Sequence, residues 1–382
     1  MSLNGAILAA RTARSLGYGA FTVVFAERLA ALGFSPLGVG ATISTALVAG
    51  AVSSAVTGTL VRTAGIARTF AASGLLMIVA AVLLAGNGSA VVAACILGVV
   101  SPGGQDVGPF APIEQVALTA RDASPARILA RYNVAGAAAL AVGALGAAVV
   151  PYGGVLVLYA AAGAVAIVVA RILPDMPAAT GETPKTRAPR YGTIERLAAL
   201  FALDAFAGGF VVQAFLAYWF ALRFHVGSET LGPLLFGANI LAAASLLFAG
   251  RVAERFGLLN TMVFTHLPSN VLLCAIPFMP TLGLAAAVLL ARFALSQMDV
   301  PTRQAYTLAL VPPHDRARAA GITAAVRPAA AAFAPLLAGA ALQFAEIGAP
   351  FLAAGGLKIA YDLALLATFR KHDGERRAGG DP

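Results

Sequence analysis

Gly58-Thr-Leu-Val-Arg-Thr-Ala-Gly65 and Gly250-Arg-Val-Ala-Glu-Arg-Phe-Gly257 stand about 190 residues apart, and each closes an apolar run of bilayer-spanning length. A second pair of segments repeats at the same offset: Gln105-Asp106-Val107-Gly108-Pro109 and Gln297-Met298-Asp299-Val300-Pro301. The chain therefore reads as two similar halves. Apolar segments fall near 5–32, 37–61, 67–86, 90–118, 128–150 and 153–173, and again near 196–222, 230–250, 258–279, 283–311, 318–343 and 348–369. Each has about 20 residues or more, enough to cross roughly 30 Å of hydrocarbon. The expected fold is all-α and integral to the membrane, with twelve transmembrane helices in two pseudo-symmetric six-helix bundles.

Composition points the same way. Of 382 residues 59% are apolar and 11% charged, with a mean hydropathy of +0.85, whereas a soluble domain carries roughly 25% charged residues. The net charge of +9 raises the question of nucleic acid, but the basic residues gather in alternate loops. One side holds Arg62, Arg68, Arg121, Arg127, Arg131, Arg171, Lys185, Arg251, Arg255, Arg316, Arg318 and Arg370, and the other keeps Arg28 and Arg223. Lys and Arg favour cytoplasmic loops, so both termini are expected in the cytoplasm, the lipid bilayer is the partner, and nucleic acid is not. The expected location is the bacterial inner (cytoplasmic) membrane.

Residues 1–174 are expected to form the N-terminal bundle, 175–195 a Pro-rich basic cytoplasmic linker, 196–370 the C-terminal bundle and 371–382 a cytoplasmic tail. Arg11 and Arg14 ahead of an apolar run resemble the start of a signal peptide. No small-residue cleavage site follows, so an uncleaved first helix is the reading. Cys95 and Cys274 lie inside apolar runs and read as reduced core thiols. His225, His266, His314 and His372 are scattered without metal-ligand spacing, and neither a phosphate loop nor a nucleophile motif occurs. An enzyme is therefore not expected, nor any cofactor beyond a proton gradient.

At the two repeated segments the chain resembles the major facilitator superfamily. The loop after span two in that family typically reads Gly, three residues, Asp, Arg, one residue, Gly and then basic residues. The second-half copy fits, with Glu254 and Arg255, whereas the first-half copy has Arg62 and Thr63 at the Asp and Arg places and keeps Arg68. The resemblance runs from Arg14 to Arg370 and implies two bundles rocking about a central site. The drug-antiporter subset usually has an Arg early in span four and a Gly-Pro pair in span five. Here span four reads Leu97-Gly-Val-Val-Ser-Pro-Gly-Gly-Gln-Asp106 with no Arg, and span five has Gly143 and Gly146 without the pair. Arg292 and Ala334-Pro335 are partial second-half counterparts.

A charge at membrane depth is costly, so each intramembrane ionisable residue is a functional candidate. Asp106 has no basic residue within one turn and must be protonated or meet a cation from another helix; with Asp299 at the equivalent place, it is a proton-coupling candidate. Gly103, Gly104, Gly108 and Pro109 should break the helix beside it and free carbonyls to line a cavity. Asp299 and Arg303 are four residues apart and able to pair, as are Lys358 and Asp362, read as a structural or coupling pair. Arg327 suits an anionic substrate group or Asp299. Arg14 and Asp204 occupy equivalent places in spans one and seven and form a candidate inter-bundle latch, the competing reading being that Arg14 snorkels to the surface. Glu114 is placed to meet Arg131 as a gate. Gating candidates are thus Arg14, Glu114, Arg131, Asp204, Glu254 and Arg255. The substrate-cavity candidates are Tyr18, Gln105, Asn133, Gln213, Gln297, Arg303, Tyr306 and Arg327.

Together these features lead to a secondary active transporter that moves a small organic solute by alternating access. Proton coupling is expected, export is preferred over uptake, and the architecture can act as a monomer. An uptake symporter or a uniporter for an organic anion is the alternative, and a non-transporting membrane sensor or lipid translocator is the remote one.

Overall fold

A computed structural model describes residues 2–104, 106, 108–119, 125–173, 192–310 and 316–378. In chain order the helices are α1 (Leu3–Ala31), α2 (Pro36–Ala64), α3 (Ile66–Leu84), α4 (Gly88–Ile96), α5 (Phe110–Thr119), α6 (Pro125–Gly146), α7 (Tyr152–Ala170) and α8 (Gly192–Gly209). They continue with α9 (Gln213–Phe224), α10 (Ser228–Phe256), α11 (Leu258–Ala275), α12 (Leu282–Ser296), α13 (Asp299–Ala309), α14 (Arg316–Ala331), α15 (Ala334–Phe344) and α16 (Ala349–Ala378). Each of the twelve expected segments coincides with one helix or with a consecutive pair. Most of the expected linker lies outside the described residues, as do Gln105 and the end of the tail.

Among the described residues, ten helical stretches are long and apolar enough to cross a membrane. The other two segments have evident reasons for falling short. α1 is 29 residues long but carries Arg11, Arg14, Glu27 and Arg28, and the fourth segment is divided into α4 and α5. Large apolar side chains face outward along the helices, among them Val82, Val157, Leu247 and Phe344, at 70%, 68%, 70% and 73% exposure. In water such a surface would aggregate; in hydrocarbon it is solvated. The protein is a multi-pass membrane protein.

Proline sets two of the helix breaks. Pro301 clashes with the carbonyl four residues back, at Gln297, and α12 ends at Ser296. Pro335 does the same to Ala331, the last residue of α14. The α4–α5 break is deeper: Gly98, Gly104 and Gly108 all take positive φ, and Pro109 has no N–H to offer. Three carbonyls freed there find donors from neighbouring helices. The Tyr159 hydroxyl donates to Val99 O at 2.5 Å, the Ala214 N–H to Pro102 O at 3.0 Å and the Ser54 hydroxyl to Gly108 O at 3.0 Å. These carbonyls hold the broken segment to α2, α7 and α9, and are satisfied by protein rather than left facing an open cavity.

The chain forms two compact units. One comprises Met1–Ala188 with Val212–Asn239, and the other Pro189–Val211 with Ile240–Pro382. In the first, α1 packs along α6 and α7, and α3 along α7. The α3–α7 seam is a backbone contact: a Cβ on Gly74 would lie 2.6 Å from the Gly163 carbonyl oxygen, so neither position has room for a side chain. In the second unit α11 packs on α16, and α8 on α14 and α16. Leu197, Phe201, Met262, Tyr306, Tyr361 and Phe369 fill its apolar core. The repeated loops take the same backbone form. Gly65 ends α2 at φ 85°, ψ 160°, and Gly257, between α10 and α11, has φ 86°, ψ 159°. That conformation is open to glycine and strained for any L side chain.

Candidate functional site

Each unit buries an ionic cluster at membrane depth. In the first unit the hub is a cation. Arg14 on α1 is fully buried, and its guanidinium forks onto Glu114 of α5 (Nη1 to Oε1 2.9 Å, Nη2 to Oε2 2.5 Å). The same group reaches Asp106, with Nη2 3.1 Å from Oδ2. Arg11, one turn earlier, forms an ion pair with Asp106. The Tyr132 hydroxyl of α6 donates to Glu114 Oε2 at 2.8 Å. Two guanidiniums and two carboxylates balance, and the fork geometry suits planar guanidinium on carboxylate. Phe110, 4.3 Å from the Arg14 guanidinium carbon to its ring centre, closes the apolar side.

In the second unit the hub is an anion. Asp204 on α8 takes Lys358 of α16 on Oδ1 at 2.5 Å, and on Oδ2 both Arg327 of α14 at 2.9 Å and Arg303 of α13 at 3.2 Å. Arg303 Nη1 also donates to Asp299, 2.5 Å away, at the first position of α13, where the helix N-terminus favours a carboxylate. Asp362 on α16 accepts from Asn270 Nδ2 at 2.9 Å and lies 2.8 Å from His266 Nδ1, both on α11. The three cations on Asp204 come from three helices. The hub therefore ties α8, α13, α14 and α16 together at one carboxylate.

These contacts correct several sequence-based pairings. Asp106 takes the second of its two expected courses and meets cations from another helix, Arg11 and Arg14. Glu114 pairs with Arg14 rather than Arg131, which is exposed on α6. Lys358 and Asp362 share a helix face but not a bond: Lys358 goes to Asp204 and Asp362 to His266 and Asn270. Arg327 is bound to Asp204 instead of Asp299. Arg14 and Asp204 are each held by partners within their own unit, and Arg14 is buried rather than snorkelling. Only Asp299 with Arg303 pairs as the spacing implied.

The remaining candidates separate by environment. Tyr18 is buried with its hydroxyl unpartnered among the described residues, 5.6 Å ring to ring from Tyr159, and the Gln213 side-chain nitrogen is likewise unpartnered. Gln297 is half-buried at the α12–α13 break, and Tyr306 lies in the apolar core against Phe369. Asn133, Glu254 and Arg255 are exposed. Sequence reasoning missed Arg11, Tyr132 and His266 as members of the clusters. A helical-face reading had the signal for two of them: Arg11, Arg14 and Tyr18 lie at i, i+3 and i+7, and His266 with Asn270 at i and i+4.

The Major Facilitator Superfamily model matches residues 197–381. An uncharacterized membrane protein of Saccharomyces cerevisiae is 26% identical over 175 residues, 46% of this chain. The aligned chain spans 39% of that protein's length. Among solved structures, a variant of the nucleoside transporter NupG superposes with a TM-score of 0.79 at 12% identity, over 96% of this chain and 100% of that one. A D-xylose–proton symporter gives 0.69 at 15% identity, covering 95% of this chain and 97% of its own. A bacterial homologue of the iron transporter ferroportin, in an inward-facing state, gives 0.70 at 12%, covering 96% and 99%. At these identities the structural likeness establishes the fold.

Proposed function

We propose that the chain, whose C-terminal half matches the Major Facilitator Superfamily model, is a secondary active transporter of a small organic solute. It works by alternating access with protons as the coupling ion. Twelve spans, cytoplasmic termini and action as a monomer belong to the same reading. The observation that carries it is the pair of buried ionic clusters. Packing alone does not call for them, because a buried ion pair is often no more stabilising than apolar residues of the same volume. Charges kept at membrane depth mark substrate or ion pathways.

The second cluster has the chemistry of a switch. One carboxylate, Asp204, is shared by three cations on three helices, and one of these, Arg303, also holds Asp299. Exchanging partners at such a hub replaces one ion pair by another, so two arrangements differ by little energy while moving helices relative to each other. Asp106 and Asp299 sit at matching helix breaks and are the carboxylates whose arginine pairs would re-form during the cycle. Tyr18 and Gln213, with buried polar atoms left unpartnered, are the groups available to a polar solute.

A second reading, transport of an organic anion, rests on Arg292. Its guanidinium forms no ion pair among the described residues, and its Nε has no hydrogen-bond partner. Proteoliposome flux decides between the two, using a labelled nucleoside, a labelled pentose and a labelled dicarboxylate with an imposed pH gradient of either sign. Protein-dependent, saturable flux that collapses with a protonophore and in Arg303→Ala supports coupled transport, and the sign of the gradient that drives loading tells export from uptake. Flux of the dicarboxylate alone, lost in Arg292→Gln, favours the anion reading. Absence of flux for all three counts against transport of these classes.

A further inference from the structure

His266 is a buried titratable group that none of the steps above uses. It lies in α11 between Thr265 and Leu267, 4% exposed, yet its ring spans two carboxylates. Nδ1 is 2.8 Å from Asp362 Oδ1 and Nε2 is 3.7 Å from Asp204 Oδ1. We propose that the His266–Asp362 pair is the seat of the coupled proton. The role in coupling rests on the transport reading; the titration of the pair does not.

Asp106 and Asp299 are each balanced by guanidinium, so placing a proton on either means giving up a charge-assisted pair. Asp362 differs, because its partners are an imidazole and a carboxamide. In the neutral tautomer that donates Nδ1–H to Asp362, Nε2 is a bare acceptor directed at a second carboxylate, too far for a hydrogen bond. A proton passed from hydronium onto that lone pair forms one N–H bond, breaks one O–H bond of the hydronium and leaves the pairs to Asp362 in place. It also turns the unfavourable approach to Asp204 into an attraction. The oxygen it would approach, Asp204 Oδ1, is the one that holds Lys358 Nζ at 2.5 Å. Protonated His266 therefore competes with Lys358 for one atom, which joins proton binding directly to the partner exchange at the hub.

The surroundings permit this. His266 faces Asp204 from α8 and Asp362 and Tyr361 from α16, Tyr361 edge-on with ring centres 5.9 Å apart; Asp204 in turn carries Lys358 of α16, Arg327 of α14 and Arg303 of α13, and Arg303 carries Asp299. Arg292 is the charged residue that α12 contributes, and Cys274 is the further titratable group on α11 itself. With neutral imidazole the acids Asp204, Asp299 and Asp362 stand against Arg303, Arg327 and Lys358, with Arg292 as a further cation. One added proton raises the positive charge of the cluster by one, an excess that the exit of a cation or the entry of an anion would relieve.

The test starts on the full-length chain in lipid nanodiscs. His225→Asn, His314→Asn and His372→Asn leave His266 as the single histidine; Asn suits the left-handed backbone at His225 (φ 54°). With 15N-labelled histidine, acidification should place a proton on the second ring nitrogen of His266 and alkalinisation should remove it. Asp362→Asn should displace that titration. A ring that keeps one protonation state throughout, or a titration unmoved by Asp362→Asn, overturns the proposal whatever the transport assays give. His266→Gln should then retain equal-pH exchange of any probe that moves in the flux assay and lose accumulation driven by the pH gradient. Full gradient-driven accumulation in His266→Gln overturns the coupling role. If no probe exchanges, the transport reading falls and the coupling role with it, while the titration is still decided.

Discussion

Arg14 shows what a single residue does in this fold, because its guanidinium reaches both oxygens of Glu114 and both of Asp106 from a fully buried position. Lysine keeps the charge but presents a point rather than a plane, so it cannot serve both acids. Arg14→Lys is expected to lose on the order of 1–3 kcal/mol, the range for a charged hydrogen bond left unmade, read as a lower melting temperature in detergent. Unchanged melting would mean that the fork is dispensable. Asp204 is the sharper case. Asp204→Asn leaves buried Lys358 and half-buried Arg327 without an acid and Arg303 with Asp299 alone, and a loss of about 3–5 kcal/mol is expected from breaking such a buried pair on one side. Adding Lys358→Met should restore part of it, and a double variant less stable than the single one would contradict the hub. The sequence revealed that these residues were buried charges, since few ionisable groups interrupt the apolar runs. It did not reveal who pairs with whom: i, i+4 spacing suggested Lys358 with Asp362, yet a carboxylate from α8 won Lys358 and an imidazole from α11 won Asp362. Cross-helix partners are set by packing, which one strand of sequence does not encode locally.

At the scale of the element, the lengths of the apolar runs gave the helices, and the loop glycines gave their ends. The break beside Asp106 was legible because Gly and Pro crowd together there, but the breaks at Gln297 and Ala331 were not anticipated. Each lies four residues before a proline, and Pro268 and Pro328 sit inside unbroken helices, so proline alone does not decide. Two consequences can be measured. Gly163→Ala pushes a Cβ onto the Gly74 carbonyl and should cost about 1–3 kcal/mol, the scale of overpacking, whereas Gly153→Ala, with open space around it, should melt as the parent does. If both alanine variants melt alike, the α3–α7 backbone contact is looser than it looks. Gly65→Ala and Gly257→Ala ask the same of the repeated loop, where positive φ penalises any side chain; equivalent backbone at the two sites predicts equivalent losses.

The whole molecule joins the repeat to its charges. The two units each carry a cluster, with α1 and α8 supplying the hubs, but with opposite sign: a guanidinium between two acids in one, a carboxylate among three cations in the other. The halves thus share a backbone plan while their chemistry has diverged. The distribution of arginine predicts how that plan lies in the bilayer. Arg62 and Arg68 flank the α2–α3 loop, and Arg251 and Arg255 lie at the equivalent place at the end of α10, whereas the loop from Gly33 to Ser35 has no basic residue. With twelve spans and a cytoplasmic N-terminus, the two basic loops face the cytoplasm and the Gly33–Ser35 loop faces outward. Single cysteines are the direct probe, placed at Gly65, Gly257 and Gly33 in a chain with Cys95→Ala and Cys274→Ala. In intact cells a membrane-impermeant maleimide should label the cysteine at 33 and leave those at 65 and 257 unlabelled until the membrane is opened. Because labelling needs only an exposed loop, the result does not depend on transport. Labelling of 65 and 257 from outside would invert the molecule. Opposite labelling of 65 and 257 would instead break the repeat itself, since two loops of one backbone form and one place in each half can lie on opposite sides only if the span count between them is odd.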